Sequence, residues 1–122
     1  RTAPLFDLLR RGDDVLRIVA QRLRAAMRED DLICRLGGEE FAVIMPGTDL
    51  ATAALIAERA RLSISSEPVA LAAAPLAVPL TVSAGLAEAS AGLGARDLYR
   101  LADAALYRSK AAGRNRVTPY AA

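Results

Sequence analysis

A chain of 122 residues, 53% hydrophobic and 25% charged, has enough interior for one domain with a real core. Its formal net charge of +2 is spread through an arginine-rich chain without a concentrated basic patch, which gives no reason to expect nucleic acid but leaves anionic small ligands open. Histidine is absent, so acid–base chemistry falls to carboxylates, Lys, Tyr, or bound water and metal.

Cys34 is the single cysteine and has no intrachain partner; inside an apolar run it reads as a small core residue. No apolar run reaches the length of a membrane span and no signal peptide opens the chain. The expectation is a soluble, cytoplasmic domain without membrane contact.

In chain order, Leu5-Phe6-Asp7-Leu8-Leu9 suits a short strand or a helix start, and Arg10-Arg11-Gly12 breaks it. From Asp13 or Asp14 to Met27 the pattern is helical. Val15, Leu16, Val19, Leu23, Ala26 and Met27 recur at three- and four-residue steps, while Arg17, Arg22 and Arg24 fall elsewhere. An acidic start suits the positive end of the helix dipole. Arg28-Glu29-Asp30-Asp31 then forms a charged connection.

Leu32 to Pro46 reads as a hairpin. Two apolar runs flank Gly37-Gly38, and primed turns need the positive φ that glycine adopts freely. Phe41, Val43 and Met45 alternate with Ala42 and Ile44, the period of a strand. Glycines at a turn also admit a bulky ligand close to the backbone. Glu39 and Glu40, just beyond it, are the oxygen donors a hard cation prefers. From these residues alone, an ordinary hairpin with a solvated acidic tip stands level with a metal site.

Past Pro46-Gly47, Thr48 or Asp49 is an N-cap for a second helix reaching about Ile64. Its apolar stripe is expected at Ala51, Leu55 and Leu62, with Glu58, Arg59 and Arg61 towards solvent. Val69-Ala70-Leu71 suggests a strand, 72–77 a turn, and Leu80 to Ala87 alternates as a strand. Ser90 to Gly94 is loop-like by composition. A third helix is expected over about Arg96 to Ala111, burying Leu98, Leu101, Ala102, Ala105 and Leu106, with Gly113 as its C′ residue. Arg116 to Tyr120 forms a last short strand. Lys110, the only lysine, and Arg114 stand four apart, which on a helix puts both on one face where they could clamp phosphates; helix-end cations favoured by the dipole are the plainer reading. Helices interleaved with strands argue for one α/β domain with a mostly antiparallel sheet.

Arg35-Leu36-Gly37-Gly38-Glu39-Glu40-Phe41 resembles the signature of the GGDEF family, the diguanylate cyclases, in its Gly-Gly-Glu-Glu-Phe form. Four further motifs stand in the expected order: Gly12-Asp13-Asp14-Val15-Leu16, Arg28-Glu29-Asp30-Asp31, Leu80-Thr81-Val82-Ser83-Ala84-Gly85-Leu86, and the run from Ala102 through Tyr107, Lys110 and Gly113 to Asn115. The resemblance covers about Gly12 to Val117. It implies a sandwich related to nucleotide cyclase and polymerase palm domains. The activity implied is condensation of two GTP into cyclic di-GMP and pyrophosphate, with Mg²⁺ or Mn²⁺ and a homodimer supplying two half-sites.

By the same resemblance, Glu39 and Glu40 are the catalytic and metal-binding carboxylates, and Gly37 and Gly38 pass the triphosphate. Asp13 accepts from guanine with Leu16 packed nearby, and Lys110 and Arg114 bind terminal phosphates. Arg28, Asp31 and Arg59 make an allosteric product-binding site. A sensor or receiver domain N-terminal to this one is implied in the full-length protein.

Ahead of Gly12 the chain departs from the pattern. Counted back, the family's guanine-contacting Asn falls on Pro4 and its first metal Asp would precede Arg1, unless Asp7 is that Asp with intervening residues absent. Either the domain is shortened there or a segment has been left out. The rival functions are a catalytically inactive receptor binding cyclic di-GMP through Arg28 and Asp31, and a dimerisation module.

Overall fold

The computed structural model describes residues 5–8, 13–37, 40–70 and 77–121. Its elements follow in the order β1 (Leu5–Leu8), α1 (Asp13–Ala26), β2 (Leu32–Gly37), β3 (Glu40–Ile44), α2 (Leu50–Ser65), β4 (Val69–Ala70), β5 (Ala77–Val78), β6 (Val82–Leu86), α3 (Ala95–Ala111) and β7 (Val117–Pro119). The run at Leu5 resolves as a strand. It lies at the centre of a five-stranded sheet, β2-β3-β1-β6-β7, antiparallel except for the parallel pair β6–β7; β4 and β5 form a separate small ribbon.

Period-two alternation decides which face each side chain takes. Phe41, Val43 and Met45 point into the main core, where they meet Val15, Val19 and Leu23 of α1 and Ala53, Ile56, Ala57, Ala60 and Ile64 of α2. Helices α1 and α2 therefore cover one face of the sheet. On the other face α3 lies across β6 and buries Ala102, Ala105 and Leu106. All five residues of β6 are buried, because helices cover that strand from both sides. Gly85 makes the close approach possible, since a Cβ there would stand 2.1 Å from the Leu106 backbone nitrogen.

Three expectations need correction. Cys34 is exposed, not a core residue. It pairs with Ala42, and parity puts both on the sheet face opposite Phe41, beyond the edge of α3. The stripe Ala51, Leu55 and Leu62 faces out, Leu55 being 75% and Leu62 53% exposed. That helix is apolar on nearly every side, so periodicity did not choose a face, and the small residues Ala53, Ala57 and Ala60 gave the closer fit. Arg61, expected in solvent, instead lies over α2, bonded to both Glu58 carboxylate oxygens and to Asn115 Oδ1.

The remaining helix limits hold closely. Asp49 is the N-cap of α2, its Oδ1 accepting from the Thr52 N–H at 2.8 Å. The predicted strand at Leu80 to Ala87 forms as Val82–Leu86.

Candidate active site and product site

Strand β2 runs through Gly37, which pairs with Glu40 after a register shift. The expected Gly37-Gly38 turn and Glu39 fall in part outside the described residues, which omit Gly38 and Glu39. Gly37 has φ of 131°, a backbone conformation closed to most side chains. Across β3 from the hairpin, the register of β1 sets Asp7 directly opposite Glu40. Two carboxylate-bearing positions thus meet at the strand ends beside the signature turn. Among the described residues no cluster of three His, Cys, Asp or Glu side chains forms a metal site. The donor chemistry nonetheless suits a hard divalent cation: Asp7 and Glu40 meet in register, and Glu39 adjoins them in sequence.

Glu40 is half-buried, and its Oε1 accepts from the Tyr99 hydroxyl at 3.1 Å. Partial burial, then the Glu40 charge, push the Tyr99 hydroxyl above its ordinary value and keep it a donor. Tyr99 also walls an apolar groove of about 380 Å³ with Cys34, Leu36, Ala42, Ile44 and Leu98.

A more polar cleft of about 400 Å³ opens on the α1 side of the same hairpin, lined by Leu16, Arg17, Ala20, Arg35 and Phe41. Leu16, read as a guanine neighbour, belongs to this cleft, and Asp13 is the first residue of the same helix. Arg17 and Arg35 were not anticipated as wall residues. The available signal was strand parity: Arg35 lies opposite Phe41, hence on the α1 face.

At the far end of α3 the helix stops at Ala111, so Lys110 is helical and Arg114 is not. Arg114 and Asn115 both adopt left-handed backbone, with φ of 64° and 50°. The i,i+4 helical relation therefore fails; a hooked loop after Gly113 carries Arg114 instead. Among the bonds that hold that hook are Arg114 N–H to Ser109 C=O, Asn115 N–H to Ser83 Oγ, and Arg61 Nη1 to Asn115 Oδ1 at 2.7 Å.

Arg28 and Asp31 form a closed unit between α1 and β2. Asp31 is 1% exposed; its carboxylate accepts from the Arg28 backbone N–H at 2.8 Å, from Nη2 at 2.8 Å and from Nε at 3.1 Å. These bonds raise the Arg28 pKa above its ordinary value, the hydrogen bond to Asp31 contributing most. The Arg28 side chain stays 40% exposed. Arg59 reaches across from α2, its Nη2 donating to the Ala26 carbonyl at 3.4 Å, two residues before Arg28. The structure thus gathers these three residues, and adds a fourth that sequence reading took only as a helix cap: Arg28 Nη2 also donates to Thr48 Oγ1.

A family model for the diguanylate cyclase GGDEF domain matches residues 9–116. The chain is 47% identical over 113 residues to Response regulator PleD of Caulobacter vibrioides, covering 91% of this chain and 25% of that protein. It is 41% identical over 106 residues to diguanylate cyclase DgcP of Pseudomonas aeruginosa, covering 87% and 16%. The GGDEF domain of DgcB from Caulobacter crescentus, solved in complex with c-di-GMP, is similar with a TM-score of 0.90 and 32% identity, over 98% of this chain and 77% of that one. The active GGEEF domain of a diguanylate cyclase from Vibrio cholerae gives a TM-score of 0.87 at 26% identity, over 99% and 83%. The chain thus spans a quarter or less of the curated relatives named here.

Proposed function

The chain belongs to the GGDEF family of diguanylate cyclases, and from that premise we propose that it condenses two GTP into cyclic di-GMP with release of pyrophosphate. Each 3′-hydroxyl oxygen forms a bond to the α-phosphorus of the other nucleotide, and each α–β phosphoanhydride bond breaks. One domain holds one GTP, so two copies must face each other as a homodimer. The observation that carries this reading is the β1–β3 register, which sets Asp7 opposite Glu40, itself paired with Gly37.

In this reading Asp7, Glu39 and Glu40 would hold Mg²⁺ or Mn²⁺, and the ion supplies charge neutralisation at the reacting phosphates. Glu39 takes the proton of the attacking hydroxyl. Gly37 and Gly38 leave the turn without side chains where the triphosphate lies. Leu16 and Asp13 receive guanine at the α1 cleft, and Arg17 and Arg35 set positive charge along its walls. Lys110 and Arg114 bind the terminal phosphates.

Product inhibition is assigned to Arg28, Asp31 and Arg59. An exposed Arg edge suits phosphate or the guanine O6/N7 edge. DgcB's GGDEF domain was solved with c-di-GMP, which supports product binding as a property to test here. Regulatory input would come from segments beyond this domain, in keeping with relatives several times its length.

Incubation of the purified protein with GTP and Mg²⁺, followed by chromatography, tests the proposal. Accumulation of cyclic di-GMP is expected. Tight binding of added cyclic di-GMP without any synthesis would make the domain a receptor.

A further inference from the structure

Thr48 is 4% exposed, between the end of β3 and the N-cap of α2. Its hydroxyl donates to the Pro46 carbonyl at 3.0 Å and accepts from Arg28 Nη2. The donor is thus used on one side and a lone pair on the other, the pairing a hydroxyl supports. Asp31 takes Arg28 Nε and the other Nη2 proton. Three of the five guanidinium donors are therefore committed, and among the described residues Nη1 carries none of these bonds. The Asp31 carboxylate is buried and committed to Arg28, so the half-exposed Arg28 edge is the part of the pair open to a ligand.

We propose that Thr48 is a positioning residue of the product site: anchored on Pro46, its hydroxyl locks the Arg28 guanidinium so that Nη1 meets the phosphate or guanine edge of cyclic di-GMP. This rests on the reading of Arg28 as a product-binding residue. Asp31 and Thr48 come from different connections, α1–β2 and β3–α2, and two anchors from separate segments fix a long side chain better than one. The ordering of that side chain is then complete before the ligand arrives, which strengthens binding without adding a contact. The same bonds tie the α1–β2 connection to the segment that follows β3.

Calorimetric titration with cyclic di-GMP on four proteins tests the proposal: wild type, Arg28→Ala, Thr48→Val and Thr48→Ser. Val keeps the shape and removes the hydroxyl; Ser keeps the hydroxyl and removes the methyl. Thr48→Val should weaken binding about tenfold, the scale of one lost bond to a charged group, while Thr48→Ser stays within about twofold and Arg28→Ala abolishes tight binding. A Val variant that binds as wild type, or a Ser variant as weak as Val, would overturn the role of the hydroxyl and leave the Arg28 reading intact. Undiminished binding by Arg28→Ala would overturn both.

Discussion

The Tyr99 hydroxyl and Glu40 Oε1 lie 3.1 Å apart, joining α3 to the first residue of β3 over 59 positions of chain. The bond fixes one oxygen of a carboxylate assigned to the metal. Tyr99→Phe keeps the ring against the groove and deletes only the donor. Formation of cyclic di-GMP from GTP should fall about three- to tenfold, against complete loss for Glu40→Ala. Both variants should melt within a few degrees of wild type, because neither site is in the core. Turnover by Tyr99→Phe equal to wild type would reduce the bond to packing.

Gly85 offers a test of the fold without reference to chemistry. An added Cβ would stand 2.1 Å from Leu106 N and 2.4 Å from Ala102 O, both backbone atoms that no rotamer change relieves. Gly85→Ala must push α3 off β6, at a cost of about 3 kcal/mol or more. Urea denaturation should show a clearly lower midpoint, or a chain that does not fold. An unchanged midpoint would mean that α3 does not cross β6 at that distance.

What the sequence made legible follows from the strength of each periodic signal. Helix α1 was read to within a residue because Val15, Val19 and Leu23 mark one stripe among arginines. Helix α2 was located but its face was not, since Leu55 and Leu62 look no different from Ile56 and Ile64 until packing chooses between them. Cys34 was misplaced for a related reason: a strand with apolar residues at both parities does not declare its inner face. At the site, Arg28 and Asp31 were singled out by the resemblance of Arg28-Glu29-Asp30-Asp31 to a family motif lying just ahead of the signature, since their spacing alone is common by chance. The third partner, Thr48, is separated by 20 residues and was unreadable without tertiary structure. The hook at Arg114 and Asn115 was also hidden, because it needs two non-glycine residues at positive φ, against local preference.

If Arg28 binds the product, reaction progress should report it. Wild-type synthesis should slow as cyclic di-GMP accumulates, and the slowing should come earlier when product is added at the start. Arg28→Ala removes the fork that Asp31 and Thr48 orient, so its progress curve should stay linear to higher product concentration by an order of magnitude or more, roughly the loss of a charged contact. Equal curvature in the two proteins would move the inhibitory site elsewhere on the domain.

Acid stability offers a last check, on Arg61 and Glu58. The Arg61 guanidinium bonds both Glu58 oxygens, at 2.7 and 2.6 Å, and holds the carboxyl below its ordinary value. A carboxyl whose folded pKa is depressed stabilises the fold fully above its unfolded value, about 4.3, and loses that contribution as pH falls through the folded value. Glu58→Gln removes the contribution at every pH. The stability gap between wild type and Glu58→Gln, measured by urea denaturation, should therefore be open at pH 6 and close steadily below about pH 4.3. The gap will be small, because the Glu58 side chain is 46% exposed and solvent screens the pair. Added salt at pH 6 should shrink it further. A gap constant down to pH 3 would mean that Arg61 is held by Asn115 and packing rather than by the Glu58 charge.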